Sequence, residues 1–149
     1  MMPTNLKVGD LLPPLRHTVS PFQLFRYSAV TWNPHRIHID EQHARAEGHR
    51  GLALHSHLRA ALALRAVTEG LGPEWQITKI SYRLRTPLYA PIDVTYTARV
   101  IAVDGNDVTL ELIEENPSGE VGFEGSARAS KIAANATDRL LVSNAGAAS

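Results

Sequence analysis

The chain has 149 residues, a length that fits one domain with a core of its own. Lysine plus arginine equals aspartate plus glutamate at 15 each, so charge gives no reason to expect a nucleic acid or a membrane surface as partner. The chain has no cysteine, which excludes disulfides, a thiolate nucleophile and thiolate metal ligands. The first fifteen residues lack the pattern of a secretory signal, and no apolar run approaches the ~20 residues that span a bilayer. We therefore expect a cytoplasmic protein.

The N-terminal half is predicted to contain one short strand and three helices. "LRHTVS" over residues 15–20 is typical of a strand. Ser20 followed by Pro21 marks a helix start, because a hydroxyl caps the first turn and the proline ring already has helical φ. "IDEQHARAEG" predicts a second short helix that Gly48 closes. Residues 57–71, "HLRAALALRAVTEGL", give the strongest helical pattern, and their apolar character predicts burial on most sides.

The C-terminal half has the pattern of an antiparallel meander. "WQITKISYRLR" alternates apolar and polar residues, and "TPLYAP" is predicted to be a loop. The strands "IDVTYTARVIAV", "VTLELIEE" and "EVGFEGSARASKI" follow, separated by the turns "DGND" and "NPSG". These elements predict an α+β fold in which the sheet wraps around the long central helix. We expect a single domain over residues 1–132 and a flexible tail over 133–149.

Polar residues concentrate in "VTWNPHRIHID", residues 30–40, which holds two histidines, an asparagine, an arginine and an aspartate. Most histidines of the chain lie between residues 35 and 57, which raises zinc as a hypothesis. The segment has no H-E-x-x-H, and the spacings do not complete a set of four ligands. We therefore predict no metal, and acid–base chemistry is the favoured use of these side chains.

The same segment resembles the signature of the MaoC-like hydratases and dehydratases, which have a hot-dog fold. That signature runs aromatic-Ala-x-Leu-Thr-Gly-Asp-x-Asn-Pro-Leu-His-x-Asp, with an alanine four residues further on. "RGLALHSHL" resembles the family's "x-G-x-x-x-H-G-x-L" at the start of the central helix, and "ISYRLRTPLYAPIDV" its "x-x-x-R-F-x-x-P-V-Y-P-G-D-x". The resemblance covers residues ~15 to 130. The matching positions of the first motif are Tyr27, Thr31, His38, Asp40 and Ala44.

The chain departs from the family pattern at informative positions. Asn33 stands where the family has its catalytic aspartate, and His35 and Arg36 replace an Asn-Pro pair. Ser56 replaces the glycine that follows the histidine at the helix start. "N-x-H-R-I-H" followed by hydrophobic-Asp is similar to a narrower subgroup, the fungal-type 3-hydroxyacyl-thioester dehydratases and the mesaconyl- or itaconyl-type CoA hydratases.

The resemblance implies an enoyl-thioester hydratase or 3-hydroxyacyl-thioester dehydratase, a hydro-lyase with His38 as the acid and base. Asn33 cannot titrate, so its amide is expected to orient a water or the departing hydroxyl. His35 is a candidate for a second titrating group, and the alternative is that His38 acts alone. The amides around His55 and Ser56 are expected to bind the thioester oxygen at the helix start.

Two further residues are candidates for substrate contact, Tyr27 and Arg36. Arg36 has the alternative of an (i, i+4) pair with Asp40. A methyl-branched dicarboxyl substrate would need a cation, which Arg26 or Arg36 would supply. Arg83 and Arg85 alternate on one strand face, a pattern typical of a solvated face. The alternative is that they help to bind an anionic coenzyme A.

The resemblance also implies partners and rivals. We expect a homodimer, an acyl thioester of coenzyme A or acyl-carrier protein as substrate, no other cofactor, and neither nucleic acid nor membrane. One rival is a hot-dog acyl-CoA thioesterase, for which Asn33 would position the attacking water. The other is a catalytically silent acyl-binding subunit of a heterodimer, because the family's aspartate is missing.

Overall fold

A computed structural model describes residues 5–132 of the protein, and the tail predicted to be flexible lies outside them. Among the described residues, no helix has both the length and the apolar character needed to cross a bilayer. The helices are α1 (Pro21–Val30), α2 (Glu41–Ala46) and α3 (Ser56–Leu71), with a 3-10 turn at Arg36–His38 between the first two. The strands are β1 (Leu15–Val19), β2 (Leu52–Ala53), β3 (Trp75–Leu84), β4 (Tyr89–Ala90), β5 (Ile92–Asp104), β6 (Asp107–Glu115) and β7 (Val121–Lys131).

Five strands form one antiparallel sheet in the order β1-β5-β6-β7-β3. The predicted meander is its centre, because β5, β6 and β7 pair in chain order. Period-two burial along β5, with Val94, Tyr96, Ala98 and Val100 inside, gives the sheet one apolar face. Register shifts interrupt the ladders within β5 and β3, and such irregularities bend a strand.

Helix α3 packs against the apolar face of this sheet. Its residues Leu58, Leu62 and Val67 are buried together with Leu110 and Phe123 of the sheet. Each such side chain contributes roughly 1.5–3 kcal/mol by leaving water, so helix and sheet stabilise one another. The predicted α+β architecture is confirmed, with the sheet wrapped around α3 as in the hot-dog fold.

A two-stranded ladder beside the polar segment was absent from the prediction. The residues "TPLYAP" are not a simple loop, because Tyr89 and Ala90 pair with Ala53 and Leu52. The Leu54 amide extends this contact by donating to Leu88 O at 2.9 Å. Strands of two residues are too short to show alternation. The ladder places the backbone of Ala53 next to the 3-10 turn.

The helix starts follow local side-chain caps. Ser20 Oγ accepts a hydrogen bond from the Gln23 amide at 3.1 Å, as the Ser-Pro pair predicts for α1. His38 belongs to neither α1 nor α2 and ends the 3-10 turn between them. Helix α2 begins after Asp40, whose carboxylate accepts from the His43 amide at 3.0 Å.

The pairing of β3 with β7 requires glycine at position 125. A Cβ there would lie 2.5 Å from Ser81 O and 2.9 Å from Tyr82 Cβ, and the backbone of a paired strand cannot move aside freely. We expect Gly125→Ala to destabilise the protein by about 1–3 kcal/mol through this overpacking. Thermal unfolding followed by circular dichroism measures it. Gly51→Ala is the control, because its Cβ would meet Tyr89 Cβ at an ordinary 3.6 Å. Equal midpoints for the two variants would contradict the expectation.

Candidate active site

His38 is held in one tautomer by the main chain. Its Nδ1 lies 2.6 Å from Ala53 O, and because a carbonyl only accepts, Nδ1 must carry the proton. The lone pair is then on Nε2, which has no hydrogen-bond partner among the described residues. Burial is the main cause that lowers the pKa of His38 from 6.5. His38 is therefore a neutral imidazole at neutral pH, with a basic nitrogen at Nε2.

His55 stacks on His38, with ring centroids 3.7 Å apart and an interplanar angle of 20°. Its Nε2 lies 2.8 Å from Ser28 Oγ, whereas its buried Nδ1 has no partner among the described residues. Burial, reinforced by the neighbouring His38, lowers the pKa of His55 to about 4. Burial lowers the pKa of both rings, and each ring disfavours a charge on the other. The pair is therefore uncharged at neutral pH.

A strained residue positions Asn33. Trp32 has φ 54°, which lies in the left-handed region that residues other than glycine rarely adopt. The backbone amide of Asn33 donates to Ser28 O at 2.9 Å, and this bond holds the turn after α1 against the helix. The Asn33 carboxamide oxygen accepts from the His35 amide at 3.4 Å, and its nitrogen has no acceptor within residues 5–132. The side-chain carboxamide nitrogen of Asn33 is thus available to hold a water.

One cavity of about 450 Å³ brings together the central residues of the prediction. Asn33, His38, His55 and Ser56 all border it, and its volume suits part of a small-molecule substrate. Apolar atoms make up most of its wall, which favours a hydrocarbon chain beside a few polar groups. Ile37, Leu84 and Pro87 belong to that wall.

The start of α3 supplies hydrogen-bond donors to this cavity. His55 is the N-terminal cap residue, but its side chain makes no capping hydrogen bond. The first amides of the helix therefore lack intrahelical and side-chain acceptors, and they form the positive end of the helix dipole. Ser56 and His57, the first two helical residues, border the cavity. An oxygen with developing negative charge would be stabilised there.

Three predicted residues lie away from this cavity. His35 is exposed, with its ring centroid 5.9 Å from that of His38. Arg36 pairs with Asp40 at 2.5 Å, which is the alternative that the sequence offered. Tyr27 packs against the His55 ring at 4.8 Å and borders a separate cavity on α1. Their contribution would be to support the histidine pair and the turn that carries it.

Two features of the site were absent from the prediction. His49 has no role in the sequence interpretation, yet it borders the cavity. Arg59 also borders it and forms a buried ion pair with Glu114, whose carboxylate accepts from the Tyr96 hydroxyl at 2.6 Å. The sequence did contain a signal for this ion pair. Arg59 lies within a nearly continuous apolar helix, and Glu114 follows Leu110 and Leu112 at the inward position of a strand.

The described residues do not assemble a metal centre. Over residues 5–132, no group of three or more histidine, cysteine, aspartate or glutamate side chains is placed to hold an ion. The absence of metal therefore stays a prediction, and the chemistry that the cavity supports is acid–base chemistry at His38 beside amide donors.

A hot-dog sheet in which a neutral, oriented histidine and helix-start amides border one cavity fits a hydratase or dehydratase of acyl thioesters. The model of the family described as hydroxyacyl-thioester dehydratase type 2 matches residues 12–90, and the chain belongs to this family. This confirms the resemblance to MaoC-like proteins and assigns the protein to the hydro-lyases.

Relatives and solved structures agree with the family. The chain is 29 % identical over 113 residues to the 3-oxo-4,17-pregnadiene-20-carboxyl-CoA hydratase beta subunit of Mycobacterium tuberculosis, covering 76 % of this chain and 88 % of the relative. It is 32 % identical over 124 residues to mesaconyl-C(4)-CoA hydratase of Chloroflexus aurantiacus, covering 77 % of this chain but only 41 % of that protein. The crystal structure of the ChsH1–ChsH2 complex from Mycobacterium tuberculosis matches with a TM-score of 0.79 and 27 % identity, over 84 % of this chain and 98 % of the matched chain.

The histidine pair predicts acid sensitivity of the fold. The pKa of His55 is about 4 when folded and 6.5 when unfolded, so the unfolded state binds more protons between those values. The contribution of His55 is complete above pH 6.5 and is lost as pH falls to 4, at up to about 1.4 kcal/mol per pH unit. His38 shifts in the same direction. Thermal melts across this range measure the loss.

A matched pair of variants assigns that loss to the site. His55→Gln removes one titrating group and keeps an amide for Ser28, so its melting temperature should fall less steeply with acid than that of the wild type. His17→Gln, on β1, should keep the wild-type slope. Parallel curves for wild type and His55→Gln would refute the assignment to His55.

Proposed function

We propose that the protein adds water reversibly across the C2–C3 double bond of an enoyl-CoA, with His38 as the single acid and base. The observation that supports this most strongly is the hydrogen bond from His38 Nδ1 to Ala53 O at 2.6 Å, which leaves Nε2 unprotonated at a cavity. The family assignment limits the reaction class, and this geometry supports His38 as the residue that moves the proton.

Hydration would proceed with one proton travelling through the imidazole. Water held by the Asn33 amide gives a proton to Nε2 of His38 as its oxygen bonds to C3. The electrons of the double bond move toward the thioester oxygen, where amides of Ser56 and His57 stabilise the charge. The imidazolium then returns the proton to C2, which restores the neutral ring. Dehydration is the same path in reverse.

The exposure of His35 favours His38 acting alone. A second titrating group would need to reach the cavity, and His35 does not border it. Asn33 cannot exchange protons, so its role is to orient the water or hydroxyl. The Asp–His pair of the family signature is thereby reduced in this chain to one histidine and one amide.

Coenzyme A is the proposed carrier, because both curated relatives are named as hydratases of CoA thioesters. Exposed Arg85 borders the cavity beside its partner Glu124 and is placed to meet a phosphate of the carrier. We propose no further cofactor. The cytoplasmic location predicted from the sequence suits a soluble CoA thioester and stays a prediction.

The sharpest test of the reaction is the loss of the enoyl-thioester absorbance with crotonyl-CoA and mesaconyl-CoA. His38→Gln should lower kcat by about 10²–10⁴ because it removes general acid–base catalysis. Asn33→Ala should retain activity within about tenfold if the amide only positions water. His43→Gln on exposed α2 is the matched control and should keep wild-type rates. Undiminished turnover by folded His38→Gln would refute the role of His38.

Two rival functions give different results in the same experiment. An acyl-CoA thioesterase would release free thiol from a saturated acyl-CoA, and this protein should not. A silent acyl-binding subunit would fold normally, turn over neither substrate, and gain activity only with a partner chain. The name of one relative as a beta subunit favours this rival over the thioesterase.

A homodimer is the proposed assembly. β3 is a ten-residue strand at the edge of the sheet, with unpaired backbone groups along its free side. Helix α1 and the turn after it expose Phe22, Phe25, Val30 and Trp32, apolar side chains that a partner chain would remove from water. Light scattering coupled to size-exclusion chromatography should give twice the chain mass of 16.3 kDa. A single-chain mass would contradict the homodimer and favour assembly with a different subunit.

A further inference from the structure

The ion pair between Arg59 and Glu114 has an unusual environment for a charged pair. The two side chains are 2 % and 0 % exposed. Arg59 Nη2 lies 2.5 Å from Glu114 Oε1, and its Nε lies 3.1 Å from each carboxylate oxygen. The Tyr96 hydroxyl donates to Glu114 Oε2 at 2.6 Å. Both oxygens of the Glu114 carboxylate therefore accept hydrogen bonds from groups within the core.

Stability alone does not account for this pair. Burying two charges costs several kcal/mol per ion, and well-packed apolar residues of similar volume often stabilise a core as well or better. The backbone is also adapted to it, because a Cβ on Gly122 would lie 2.7 Å from Arg59 Nη2 and 2.9 Å from Glu114 Oε1. The core therefore accommodates the guanidinium at a cost in desolvation free energy, which suggests that Arg59 has a function beyond stability.

One N–H of this guanidinium is left for a ligand. Nε and both hydrogens of Nη2 are used by Glu114 and by Gly122 O, the latter at 2.7 Å. Nη1 donates one hydrogen to Thr86 O at 2.9 Å, and its second has no acceptor among residues 5–132. The Nη1 contact is only partly buried, unlike the others. Arg59 and Thr86 both border the cavity that His38 shares.

We propose that this spare Nη1 hydrogen binds an oxygen on the acyl chain of the substrate, and that the enzyme prefers enoyl-CoA thioesters carrying a distal carbonyl. The inference rests on the proposed function and adds the substrate class. Glu114 balances the charge of Arg59, so the pair offers a directed donor rather than a net cation, which suits an uncharged carbonyl better than a carboxylate. The cations predicted for a charged substrate, Arg26 and Arg36, do not border the cavity.

The spacing along α3 sets the position of that oxygen. Arg59 follows His55 by four residues, about 6 Å along a helix, so both side chains lie on one face. His38 stacks on His55 and marks the reacting carbons. An oxygen a few bonds beyond C3 would therefore reach the Arg59 end of the cavity.

The test compares two substrates that differ by one carbonyl, hex-2-enoyl-CoA and 5-oxohex-2-enoyl-CoA. We expect kcat/KM of the wild type to favour the oxo compound by about ten- to hundredfold, the range for a hydrogen bond to a charged group. Arg59→Lys keeps a cation for Glu114 but lacks the Nη1 donor, so the ratio should fall toward one. The triple variant Arg59→Met, Glu114→Leu, Tyr96→Phe replaces the whole network by apolar groups and should do the same.

The controls separate specificity from folding and from the reaction itself. Arg65→Met removes an exposed, ion-paired arginine of the same helix and should preserve the ratio. A wild-type ratio near one, or a preference that survives in folded Arg59→Lys, overturns the inference but leaves the hydratase. A preference only for hex-2-enedioyl-CoA, which carries a carboxylate, overturns it as well. Hydration of none of these substrates would overturn the proposed function and the inference together.

Discussion

The insertion of α3 into the curved sheet is the packing interaction on which the site depends. An apolar helix must bury most of its surface, and in this protein the curved sheet covers it. Burial fixes the helix start against the 3-10 turn, which brings His55 onto the ring of His38. It also directs Arg59 inward, toward Glu114. Ser56 and Arg59 thus share one rigid element, whereas His38 and Asn33 come from turns that pack near its start.

The same burial determines the protonation of the site. Removing His38 and His55 from water disfavours their charged forms, so both pKa values fall. A histidine that serves as base must be unprotonated when substrate arrives, and burial supplies this condition, whereas a neighbouring carboxylate would favour the charged imidazolium. Under the proposed mechanism, a neutral His38 could therefore act without the aspartate that the family signature has at the position of Asn33.

The sequence predicted most of the fold and four of the residues that border the cavity. The meander and α3 were visible because long elements display their periodicity, and Asn33, His38, His55 and Ser56 were located by motif register. The ladder of β2 and β4 was invisible because two residues have no period. The partnership of Arg59 with Glu114 spans 55 positions, and no local pattern reveals a contact of that separation.

The acceptor that orients His38 belongs to the main chain of Ala53, and this has an evolutionary consequence. A backbone oxygen is present whatever side chain stands at that position, so no point substitution removes it directly. Any residue that fits the buried position of Ala53 would leave the imidazole in the same tautomer. Inherited damage to this feature would have to arise by displacing the strand, for example through a side chain too large for the buried position of Ala53. A comparison of side chains alone would therefore miss the partner of His38, because that partner is a backbone oxygen.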